Sequence, residues 1–215
     1  MSRFSKEWFC VILFVAGSVG FGLFAHRSGW GPLRWLFLAG AFLGLSTGWA
    51  LMVRPLQTTI GDLDTRHVGL SIIATVLLAG GAAVAYRWHT GETLVPLSLT
   101  WFVLPAMAIG FAEELLWRGW LQGLLCKAWA PVSAALIAAL CHTGYKLALF
   151  AFPPEGVPWH TMLGLFQLAV FTLVAGLSLG WMRSKFNTVI GPICSHMLFD
   201  LLVYGDRTHA PWWVW

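Results

Sequence analysis

Seven ionisable side chains stand inside apolar stretches of this chain: Glu113, Glu114, Arg118, His142, Lys146, His196 and Asp200. A charge at the bilayer centre costs at least about 2.5–3.5 kcal/mol on insertion scales, so each needs a partner and each is a candidate for function. Their spacing pairs them. Glu114 and Arg118 are i,i+4 with the acid N-terminal to the base, the order that helical ion pairs prefer. His142 with Lys146 and His196 with Asp200 repeat the interval. Glu113 is turned about 100° from Glu114 on a helix, so Arg118 can neutralise Glu114 and leave Glu113 to face another neighbour. A carboxylate and two imidazoles suit general-base activation of a water and stabilisation of an oxyanion. Three helices that each present one polar pair imply a shared water-filled cavity. The same pairs read alternatively as ion pairs that hold helices together. Lys146 is long enough to carry its ammonium to an interface instead. His26, His67, His89, His160 and His209 lie at the ends of apolar runs or between them, where interfacial water solvates them.

The elements that must position these groups are transmembrane helices. The chain has 215 residues, 58% hydrophobic and 10% charged, with mean hydropathy +0.74. Soluble domains carry about 25% charged residues, and disordered chains lack this apolar content. Four cysteines without a CxxC pair exclude a disulfide scaffold and a zinc ribbon, and read as small apolar core residues. The net charge of +4 is spread singly, with no Lys/Arg cluster of the kind that binds nucleic acid, so the phospholipid bilayer is the expected partner. Apolar runs cover about 8–26, 33–53, 68–86, 94–127, 131–151, 160–182 and 188–204, against the roughly 20 residues that a bilayer crossing needs. Many of the fourteen Trp fall near the ends of runs, as an interfacial belt predicts.

These lengths predict an all-α, polytopic transmembrane bundle of seven to eight helices forming one membrane-embedded domain over residues 1–215. The count depends on the fourth run, where Pro96, Pro105 and Gly110 predict a kink or break before Phe111. The first run is long for a signal peptide and lacks a small-x-small cleavage site, so it reads as the first span. With seven crossings, eight of the 13 Lys and Arg fall on the N-terminal side, Arg118 included, which favours a cytoplasmic N-terminus. Gly40-xxx-Gly44-xxx-Gly48 and Gly176-xxx-Gly180 place small residues on one face, expected to pack within the chain.

The segment Glu113-Glu114-Leu-Leu-Trp-Arg118-Gly119 reads EExxxRG and is followed by His142 and by His196-xxx-Asp200 on apolar helices. That ordered set resembles the CAAX-protease and bacteriocin-processing family of intramembrane glutamic endopeptidases, over a core of about residues 95–204. The resemblance implies that Glu113 and His142 bind and activate a water that attacks a peptide carbonyl. It implies that His196, with Asp200, stabilises the oxyanion, and that Glu114 and Arg118 hold the Glu-bearing helix. No cofactor is implied. Two positions depart from the family pattern. The aromatic residue expected four before His142 is Ala138, and the Asn expected at the end of the last motif is Asp200. An ionised Asp cannot donate to an oxyanion. Asp200 therefore has either to keep its proton or to act by orienting His196.

Two other classes fit the residues alone. One carboxylate and two histidines make a plausible zinc set for a membrane metalloprotease, although the spacing is not HExxH and Arg118 opposes a second cation. Buried Glu, His, Lys and Asp also suit a proton relay in a transporter or channel, although no internal repeat is visible. Proteolysis of a membrane-embedded or membrane-tethered protein, in a prokaryotic cell membrane, is the expectation taken forward.

Overall fold

The computed structural model describes residues 59–101, 103–150 and 162–206, with the single positions 16, 20 and 44. The apolar runs at 8–26 and 33–53, and the Gly40–Gly48 face, lie outside the described residues. Every regular element among the described residues is helical: α1 (Thr65–His89), α2 (Val103–Glu114), α3 (Pro131–Phe150), α4 (Met162–Phe186) and α5 (Ile190–Tyr204). Two helices, Thr65–His89 and Gly164–Phe186, are long and apolar enough to cross a bilayer, and only 22% of each apolar window is buried. Ile73, Val76 and Leu77 on α1 and Phe166, Phe171 and Val174 on α4 stand exposed, an arrangement that water would penalise and lipid does not.

Asp64 starts α1, its carboxylate accepting from the Arg66 N–H at 2.7 Å and the His67 N–H at 3.4 Å. Asp62 accepts in turn from the Asp64 N–H at 2.9 Å and pairs with His67 Nδ1 at 3.1 Å. The Asp64 amide, and then His67, hold the Asp62 carboxyl below the usual carboxylate range. The other end of α1 is locked by Arg87. Its guanidinium donates to Asp206 Oδ2 at 2.6 Å and to the Leu202 carbonyl at 3.0 Å, and its Nε donates to the Thr93 carbonyl.

α1 packs on α5 through small and hydroxylated residues. Thr75 Oγ1 donates to the Gly191 carbonyl at 3.0 Å, and Ser195 Oγ donates to Thr75 Oγ1 at 3.0 Å. Residues before α1 and before α5 meet as well: the Val189 N–H donates to the Ile60 carbonyl and the Asp62 N–H to the Asn187 carbonyl. Asn187 has a left-handed backbone (φ 50°), which an Asn side chain tolerates where α4 must stop.

The fourth apolar run is non-helical over 94–101 and becomes helical at Val103, after Pro96; from there it does not break before Phe111. Pro105 falls in the first turn of α2, where its missing N–H has no intrahelical role to lose. The helix runs through Gly110 and Phe111 and changes only later, into a π-helical stretch over Leu115–Gln122. All eight residues of that stretch are buried. The Gly176-xxx-Gly180 face packs within the chain as expected. A Cβ at Gly176 would lie 2.9 Å from Ala139 Cβ, and one at Gly180 would lie 3.0 Å from Ala135 Cβ, so α4 reaches α3 only because both are glycines.

Candidate active site

Glu113 and Glu114 close α2, and the next turn carries Arg118. All three are 0% exposed. Arg118 Nη1 donates to Glu114 Oε1 at 2.9 Å, the pair expected from the i,i+4 spacing. Glu113 faces the other way, onto α3. Its Oε2 is 3.1 Å from His142 Nε2, and its Oε1 is 2.5 Å from Lys146 Nζ. The polar pair on α3 thus reaches one carboxylate with both of its members.

The second nitrogen of His142 defines the ring's proton. Arg118 Nη1 lies 3.0 Å from His142 Nδ1, and a guanidinium only donates. Nδ1 is therefore an acceptor, the proton sits on Nε2, and Nε2 donates to Glu113. One guanidinium nitrogen orients Glu114 and sets the tautomer of His142 together. Trp117 stacks on the His142 ring with centroids 5.6 Å apart and planes at 24°. The aromatic support missing at Ala138 comes instead from α2's own continuation. Ala138 itself is buried, four residues before His142 on α3.

α5 brings the last motif. His196 Nδ1 donates to Glu114 Oε1 at 2.9 Å, so Glu114 accepts from Arg118 and from His196 at one oxygen. Asp200 Oδ2 is 3.9 Å from His196 Nε2, an ionic neighbour beyond hydrogen-bond length. The group that hydrogen-bonds and orients His196 is Glu114; orienting His196 was one of the two roles open to Asp200. Both His196 and Asp200 lie against Gly110. A Cβ there would stand 3.0 Å from Asp200 Oδ2 and 3.1 Å from the His196 ring. His196 is the most open member, with 19% side-chain exposure against 0–7% for the others.

All six predicted residues, Glu113, Glu114, Arg118, His142, His196 and Asp200, therefore converge where α2, α3 and α5 meet. Lys146 joins them. It is 5% exposed and paired with Glu113, so its ammonium does not reach out to an interface. Its i,i+4 spacing from His142 was the signal for this, and the length of its side chain obscured it. The bond from Glu114 to His196 and that from Arg118 to His142 had no such signal, because they cross between helices. Among the described residues no three or more His, Cys, Asp or Glu gather as a metal-ligand set. Cys126, Cys141 and Cys194 are free thiols.

Comparison with known proteins adds a family. The family model described as type II CAAX prenyl endopeptidase Rce1-like matches residues 94–202, half of the chain, and spans α2 through α5 with every polar residue of the cluster. No curated protein and no solved structure matches the chain. The match and the apolar helices make this a membrane protein and a peptide hydrolase: the chain belongs to the Rce1-like family of type II CAAX prenyl endopeptidases.

Proposed function

We propose that the protein is an intramembrane endopeptidase of glutamic type, in which Glu113 is the general base for a hydrolytic water. The observation that carries this reading is the buried bond from His142 Nε2 to Glu113 Oε2 across α2 and α3, with His196 beside it. With its proton on Nε2, His142 is a donor, so Glu113 is left as the acceptor for a proton of water. In the reaction Glu113 removes that proton while the water oxygen bonds to the peptide carbonyl carbon. His196, the most open member, keeps its Nδ1–H on Glu114 and, as the doubly protonated imidazolium, donates from Nε2 to the oxyanion. As the C–N bond breaks, the proton on Glu113 passes to the leaving nitrogen and Glu113 is ionised again. Asp200 acts on His196 by charge from 3.9 Å.

No cofactor enters this scheme. Arg118 and Lys146 each lie against one carboxylate of the Glu pair, where a divalent ion would meet two cations. The substrate is a membrane-associated protein, and a tail anchored or tethered at its C-terminus suits a site held between helices. The chain forms one domain of seven helices in a prokaryotic cell membrane, with its N-terminus cytoplasmic. Seven is the number of apolar runs once the fourth is a single helix.

Reconstituted vesicles holding a C-terminal tail-fusion reporter test the reading. Cleavage is expected to persist in chelator and to disappear in His142→Ala. Ion flux without cleavage would favour the transporter, and chelator-sensitive cleavage a zinc enzyme.

A further inference from the structure

Glu113 lies fully buried, so what balances its carboxylate decides whether it is ionised. The groups facing it come from three elements. From its own helix and the turn beyond it come Glu114 and Arg118, which are paired with each other at 2.9 Å. From α5 come His196, whose Nδ1 is given to Glu114, and Asp200, a carboxyl group 3.9 Å from His196 Nε2. From α3 come His142, Tyr145 and Lys146. His142 faces the Arg118 guanidinium through an accepting Nδ1 and is therefore neutral. Tyr145 is a buried phenol whose ring lies tilted against Trp117, with centroids 5.7 Å apart. Among the described residues, Lys146 is thus the formal cation whose nearest anion is Glu113. Its Nζ is also 5.8 Å from the Phe150 ring centroid, a second contact that favours the charged ammonium.

We propose that Lys146 is the positioning residue of the catalytic base: its ammonium, 2.5 Å from Glu113 Oε1, keeps that carboxylate ionised and aims Oε2 at His142 and the attacking water. The family motifs quoted above contain no lysine at this place. The inference rests on the reading of Glu113 as base. A pair that served only to hold α2 to α3 would move stability. This pair moves turnover as well, because a Glu113 that has taken a proton to neutralise itself can no longer accept one from water.

The test compares Lys146→Met, Lys146→Arg, Glu113→Gln and the double variant Glu113→Gln/Lys146→Met. Each is purified in detergent for thermal unfolding and reconstituted with the tail-fusion reporter for kinetics. Lys146→Met is expected to lower kcat on the order of 10²-fold with KM little changed, and Lys146→Arg to recover most of that loss. The double variant removes both charges, so it is expected to unfold at a higher temperature than either single variant. Parent-like kcat in Lys146→Met, with Glu113→Gln inactive, overturns the role of Lys146 and leaves Glu113 as base. Parent-like activity in Glu113→Gln overturns both. If Lys146→Met does not fold, Lys146→Gln takes its place: kcat lowered on the order of 10²-fold with KM little changed supports the role, and parent-like kcat overturns it.

Discussion

His142 ties the site together because both of its ring nitrogens are spoken for. Nδ1 accepts from Arg118 and Nε2 donates to Glu113, so the imidazole is held in one tautomer with one orientation. Arg118 does this while also neutralising Glu114. Arg118→Met strips both partners at once and leaves a buried carboxylate without its cation. It is expected to cost about 3–5 kcal/mol, read as a lowered unfolding temperature in detergent. At this scale the sequence was informative wherever partners share a helix. The Glu114–Arg118 pair follows from a four-residue interval. The Glu114–His196 bond joins residues 82 apart, and nothing in either helix announces it. The His196–Asp200 interval also holds as an ionic pair, with the two groups 3.9 Å apart.

Helices deliver these residues through a few close approaches. Gly110 lets α5 lay His196 and Asp200 over α2, and Gly176 and Gly180 let α4 press against α3 beside Arg118 and Gln122. A side chain at Gly176 would meet Ala139 Cβ at 2.9 Å and Arg118 Nη2 at 3.0 Å. Gly176→Leu is expected to destabilise by about 1–3 kcal/mol and to reduce proteolysis, because relief of the clash moves the guanidinium. Gly69→Ala, with open space around it, is the matched control and is expected to gain about 0.5–1 kcal/mol. The small-residue spacing on α4 could be read in advance because glycines four apart always share a face. The π-helical stretch over Leu115–Gln122 could not, since an i→i+5 ladder has no composition of its own. The proline at 105 misled for a physical reason: proline breaks a helix interior but is harmless in a first turn.

Taken whole, the described part of the molecule keeps its polar groups inside and shows lipid its apolar faces. Leu77, 70% exposed on α1, belongs to that outer face. Leu77→Arg is expected to cost about 2.5–3.5 kcal/mol of insertion free energy and to lower the membrane-inserted fraction, measured by alkaline extraction of membranes. Apolar run length made helix existence easy to read, since a bilayer demands about 20 residues whatever their order. The site was legible for the same reason: in a chain with 10% charged residues, buried charge stands out. What remained hidden was which helix faces which, because lipid leaves the outer faces uniformly apolar. The central claim is that Glu113 activates the water that cuts the peptide bond. The direct measurement is turnover of a fluorogenic peptide with an apolar C-terminal anchor, by the parent and by Glu113→Gln in the same vesicles. The expected result is a loss of about 10²–10⁴-fold in kcat with the unfolding temperature retained. A folded Glu113→Gln protein that turns over like the parent would contradict it.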